Sequence, residues 1–113
     1  MKGDKNMELE HQNYVMEVVL FELKEGIDKH RFCQAAAALT NLLKYEISGF
    51  EARTLLHTSD ESQWTDIIYW CDMDSALVAM EKLKSKSEFQ IFVSMIDSRE
   101  ITQRHLIQTN LNL

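Results

Sequence analysis

Three groups of residues in this chain have the types and spacing to do chemistry. Trp64, Asp66, Ile68 and Trp70 occupy every second position of one run, so a strand there presents an acid between two indoles on one face. A carboxyl in such apolar surroundings is placed to exchange a proton near neutrality. The plainer role for Asp66 is an ion pair with Arg53 or Arg104, or a hydrogen bond from an indole N–H, that holds the sheet in register. His105, inside the last apolar run, is the best general-base candidate, because imidazole changes charge near physiological pH. A structural, hydrogen-bonded histidine fits the same position. Glu17 lies in a run otherwise fit for burial, where a carboxylate needs a partner or a proton, and it can join the same pocket. Asp66 and His105 are therefore the candidate catalytic residues. Glu17, Trp64, Trp70, Met80, Phe89 and Phe92 are the candidate pocket. Met80, Phe89 and Phe92 together with Met95 can line an adaptable cavity, although at helical spacing such residues equally serve as core.

The elements that must carry these side chains can be read in order. Residues 15–24 set Val, Leu, Phe and Met at both parities, interrupted by Glu17 and Glu22, which predicts a strand buried on both faces. Lys24-Glu25-Gly26 makes a turn. Asp28 caps a helix whose stripe is Phe32, Ala35, Ala36, Leu39, Leu42 and Leu43, ending near Glu46 ahead of Ser48-Gly49. Strands over 50–58 and 64–71, joined by a polar turn at 59–62, form a hairpin. Asp72 caps a second helix with Ala76, Ala79, Met80 and Leu83 inward. Its pattern loosens at 85–87 and resumes as Phe89, Phe92, Val93 and Ile96. A fourth strand covers 101–109. With right-handed crossovers this order gives an α+β, ferredoxin-like βαββαβ fold: a four-stranded antiparallel sheet with both helices on one face.

The 113 residues suit one domain over 14–110 behind a polar, disordered leader over 1–13. A formal charge of -6 argues against nucleic acid as a partner, and the Lys82, Lys84 and Lys86 cluster flanked by Glu81 and Glu88 is a solvated helix end. No window approaches the roughly 18 apolar residues that span a bilayer, and the leader lacks a secretory apolar region. A cytoplasmic protein without a membrane partner is expected. Cys33 and Cys71 are expected as two unpaired buried thiols. His11, His30, His57 and His105 are too scattered for a metal chelate, and no phosphate loop or nucleophile elbow occurs, so no cofactor is expected.

Two helices cover one face of such a sheet. The other should then be polar, yet Met16, Val18 and Leu20 oppose Val19, Phe21 and Leu23, and Ile67, Tyr69 and Cys71 oppose Trp64, Ile68 and Trp70. An apolar sheet face left in water is unusual for a monomer, so face-to-face pairing with a second copy is expected. A partner of different sequence docking on the same face is the alternative.

These segments resemble a known group. Val18-Val19-Leu20-Phe21-Glu22-Leu23-Lys24-Glu25-Gly26-Ile27-Asp28 looks like the opening strand and turn of dimeric α+β barrel proteins, and Ser48-Gly49-Phe50-Glu51 resembles their approach to the second strand. Trp64-Thr65-Asp66-Ile67-Ile68-Tyr69-Trp70 and the capped Ala-rich helix after it are similar to their third strand and second helix. The match covers nearly everything after the leader and is nearest the antibiotic-biosynthesis-monooxygenase-like branch, which includes many members of unknown activity. The resemblance implies a homodimer, and for some members oxidation of polycyclic phenols by oxygen without a cofactor. Others degrade haem, with a pocket Trp that Trp70 matches. They also use a haem-ligating His, which Phe89-Gln90-Ile91-Phe92-Val93-Ser94 does not contain. Two functions follow as expectations: a barrel that binds a small apolar or aromatic molecule between helix and sheet, or a cofactor-independent monooxygenase or isomerase acting on such a molecule. A protein-interaction module using the open sheet face is the third.

Overall fold

The computed structural model of the chain describes residues 14–111, and the leader expected over 1–13 lies outside the described residues. Strand β1 (Val15–Phe21) leads to helix α1 (Lys29–Glu46). Strands β2 (Phe50–His57) and β3 (Trp64–Trp70) follow, then helices α2 (Met73–Leu83) and α3 (Ser87–Ser94), a 3₁₀ turn (Ser98–Glu100) and strand β4 (Thr102–Ile107). The four strands form one antiparallel sheet in the order β2-β3-β1-β4. This is the expected ferredoxin-like arrangement with one more helix. The second helical pattern divides at 84–86, where α3 begins without a side-chain cap and the Gln90 amide donates back to the Lys84 carbonyl at 2.9 Å.

Local chemistry sets the element ends. Asp28 accepts from the Arg31 backbone N–H at 3.2 Å and Asp72 from the Ser75 N–H at 2.8 Å, so both expected caps form. Asp97 starts the 3₁₀ turn in the same way, with the Arg99 N–H at 3.0 Å and its guanidinium at 2.7 and 2.9 Å. Asp60 closes the β2–β3 hairpin by accepting from Thr58 and Ser62. Gly49 has φ +86° and lies against the first turn of α2, where its carbonyl accepts from the Cys71 N–H at 2.9 Å.

These caps make stability acid-sensitive. Hydrogen bonds hold the Asp60 and Asp97 carboxyls down at about 2 and lower that of Asp72, against an ordinary value of 3.8. A group lowered on folding stabilises the native state above its unfolded value and loses that contribution as pH falls through the folded one. Unfolding midpoints in urea should therefore be insensitive to these three groups between pH 7 and about 5, then fall between about pH 4 and 2. Asp97→Asn should flatten part of the fall, and a melt series across that range reads the difference.

The core lies between sheet and helices. Phe21, Phe32, Leu43 and Trp70 are fully buried, and Phe32, Ala36, Leu39, Leu42 and Leu43 realise the predicted stripe of α1. Both cysteines are free. Cys71 is half-buried, but Cys33 is exposed, correcting the expectation of burial, because it sits one position off that stripe. Burial alternates along β1 and β3 so that Val15, Glu17, Val19, Phe21 and Trp64, Asp66, Ile68, Trp70 face the helices. Met16, Val18, Leu20, Ile67 and Tyr69 lie on the opposite face, which no helix of the described residues covers. In β2 the pairing runs Phe50↔Trp70, Ala52↔Tyr69 and Arg53↔Ile68, so a one-residue bulge switches the strand's parity and turns Arg53 inward.

Candidate functional site

The helix-facing side of the sheet buries two carboxylates. Asp66, 4% exposed, is bound by both arms of one guanidinium: Arg53 Nε donates to Oδ1 at 2.9 Å and Nη2 to Oδ2 at 2.6 Å. Arg53 Nη1 donates to the Ala36 carbonyl at 2.9 Å and the Thr40 hydroxyl at 3.0 Å, tying β2 to α1, and the guanidinium lies 4.9 Å from the Phe92 ring centroid. This is a closed, charge-balanced unit.

Glu17, 5% exposed, is held otherwise. The Trp70 indole Nε1 donates to Oε1 at 2.9 Å, and the Gln103 amide donates to Oε2 at 2.6 Å. Both donors are neutral. The His105 imidazole lies nearby, its Nε2 3.9 Å from Glu17 Oε1, beyond hydrogen-bond distance. Register explains the convergence: Glu17 pairs with His105 on β4 and with Ile68 on β3, Gln103 lies two positions along β4, and Trp70 one pleat along β3. The edge position of β4 leaves the His105 side chain 26% exposed beside a carboxylate only 6% exposed.

The residues singled out from sequence thus separate into groups. Glu17, Trp70 and His105 come together. Asp66 does not join them, since it pairs in register with Val19, and β1 lies between it and β4. Trp64, six residues from Trp70 and so about 20 Å along the strand, packs on Phe32 at 5.0 Å and His57 at 4.8 Å. Its indole N–H has no acceptor among the described residues. Phe92 stacks on Phe32 at 5.1 Å within the core, Phe89 packs against that core, and Met80 is half-buried on α2. Gln103 was not singled out. The available signal was parity, because it shares the face of His105 two residues away.

A cleft of about 320 Å³ opens elsewhere, between the end of α1 and the start of α2, lined by Ile47, Ser48, Asp72, Asp74, Ser75, Val78, Ala79 and Lys82. None of the candidate residues lines it. Among the described residues no three His, Cys, Asp or Glu side chains converge to hold a metal ion, and no helix is long and apolar enough to cross a membrane.

The ferredoxin-like α+β fold is shared with solved structures of antibiotic-biosynthesis-monooxygenase-like and dimeric ferredoxin-like proteins. The chain superposes on SnoaB, a cofactor-independent oxygenase from Streptomyces nogalater, with a TM-score of 0.66 and 19% identity over 89% of this chain and 96% of that one. A candidate antibiotic biosynthesis monooxygenase from Bordetella bronchiseptica gives 0.68 and 14% over 88% and 100%. A dimeric ferredoxin-like protein of unknown function from Jannaschia sp. CCS1 gives 0.62 and 14% over 83% and 98%. No family model and no curated protein sequence matches the chain.

Proposed function

We propose that the chain forms a homodimeric, cytoplasmic α+β barrel that binds a small apolar or aromatic molecule on the helix side of its sheet, beside β4. The observation that carries this reading is the Glu17–Trp70–Gln103–His105 cluster. A carboxylate is buried with neutral donors and one imidazole at the rim of an aromatic core, and few convergent polar groups beside an apolar wall are what a small-molecule site needs. The Asp66–Arg53 pair, already complete, braces the wall. The open face, where Met16, Val18, Leu20, Ile67 and Tyr69 have no helix over them among the described residues, supports pairing with a second copy, as does the dimeric ferredoxin-like neighbour.

A second reading is a cofactor-independent oxygenase or isomerase acting on a phenolic ring, favoured by an imidazole beside a buried carboxylate and by the likeness to the Streptomyces oxygenase. Light scattering on the purified chain should give the mass of two copies, and Ile67→Asp should give one. Titration with 1-naphthol should quench the fluorescence of Trp70, and Trp70→Phe should remove that response. A wild-type monomer sinks the barrel. Unchanged fluorescence across a panel of apolar and phenolic ligands sinks the binding site.

A further inference from the structure

The cleft between the end of α1 and the start of α2 belongs to no part of the cluster described above. Its floor is apolar: Ile47 and Ala79 are buried, and Val78 beside them is 53% exposed. Charge sits at its two ends. Asp74 lies in the first turn of α2 and Lys82 in the last, eight positions on and so about 12 Å along the helix. Neither makes an ion pair or hydrogen bond among the described residues, although Lys84 and Lys86 close by are taken up by Glu81 and Glu46. Asp72, the third charge, already accepts from the Ser75 N–H. The cleft thus holds about 320 Å³ over an apolar strip that runs from an unpaired acid to an unpaired base. An occupant that fits carries a cation and an anion about 12 Å apart with an apolar side chain between them.

We infer that this occupant is the leader of the same chain, docked through Lys5, Met7 and Glu8. The run Lys5-Asn6-Met7-Glu8 has the required order, and when extended it sets Lys5 and Glu8 about 10 Å apart with Met7 between them. Side-chain reach supplies the remaining distance. Lys5 meets Asp74, Glu8 meets Lys82, and Met7 covers Ile47, Val78 and Ala79. The described chain begins at the right end of the sheet for this. Tyr14 precedes Val15, which pairs with Trp70, and Trp70 is followed by Cys71 and the Asp72 cap of α2. The stretch from Glu8 to Tyr14 reaches about 20 Å, enough to climb from β1 past the helix packed on it. Burial of Met7 supplies the larger gain, because exposed ion pairs contribute little and mainly set the register. The tether holds the segment at an effective concentration on the order of millimolar, so a leader too polar to fold alone takes its order from the surface it covers.

Cleavage after Glu8 by a glutamyl endopeptidase, followed by mass spectrometry on the full chain, tests this directly. The wild-type protein should be cut there at least about tenfold more slowly than a synthetic peptide of residues 1–13. Asp74→Lys and Val78→Asp, both at exposed positions, should each raise the rate to that of the peptide, with far-UV circular dichroism unchanged. Lys5→Asp combined with Asp74→Lys should bring the protection back. Carbon-13 spectra of the methionine methyl groups give a second readout without protease, since the Met7 signal should shift on Val78→Asp. Cutting of the wild type at the peptide rate overturns the docking and leaves the cleft to a different partner. Protection that survives both cleft variants places the segment elsewhere and overturns the cleft as its seat. The Asp74→Lys and Lys5→Asp chains refolded together should stay unprotected. Protection restored in that mixture means that a second copy's leader fills the cleft, which overturns docking within one chain.

Discussion

Arg53→Ala should lower the unfolding free energy by about 3–5 kcal/mol, because it strands the Asp66 carboxylate in the core. The side chains of this pair are 2% and 6% exposed, so water cannot replace what is lost. The same substitution also frees the Ala36 carbonyl and Thr40 hydroxyl and removes the cation from the Phe92 ring. In a domain of this size each kcal/mol moves Tm by about 4–8 °C, so a thermal melt resolves the effect easily. Asp66→Ala should cost a similar amount. Replacing both partners together, Arg53→Met with Asp66→Leu, should return most of the stability, since a buried ion pair gains little over apolar packing of similar volume. A loss below about 1 kcal/mol for either single substitution would refute the assignment of this pair as the brace of the sheet. It would also return Asp66 to the list of proton-transfer candidates.

Gly49→Ala should cost about 2–4 kcal/mol, and two separate causes add. Its φ of +86° is a left-handed conformation that costs an L-residue about 1–2 kcal/mol. A methyl group there would overlap the Ser75 side chain and stand 3.3 Å from Cys71 Sγ, at the turn where Asp72 caps α2. Gly26→Ala serves as an internal control. Gly26 has nearly the same φ, +85°, but open space around its Cβ position, so it should show the conformational cost alone. Urea unfolding of the two variants therefore separates strain from crowding. Equal losses would mean that α2 yields to the added methyl.

The order of the elements was legible because each is written in local periodicity. The α1 stripe, the Asp28 and Asp72 caps and the hairpin turn all depend on neighbours within a few residues. The strand ends came out shorter than expected: β1 stops at Phe21, and Leu23 forms an isolated bridge with Ile96. Partners distant along the chain were less legible. The Trp70–Glu17 bond spans 53 positions and the Gln103–Glu17 bond 86, and no local pattern encodes either. Which parity meets the helices was also hidden, because β1 and β3 are apolar on both sides. The ion pair of Asp66 with Arg53 stood among the alternatives, but choosing it requires knowing which way β2 faces. That depends on an irregularity in the strand rather than on its alternation.

The irregularity at Phe50/Ala52 decides which changes in strand length the Arg53–Asp66 pair can survive. Deleting Glu51 would remove the irregularity and still leave Arg53 opposite Ile68, on the face of Asp66, so the ion pair would survive. Deleting Thr54, with the hairpin end held in register, would instead move Arg53 opposite Ile67 and turn it to the other face, leaving Asp66 buried without its counterion. The strand thus tolerates a lost residue on one side of Arg53 and not on the other.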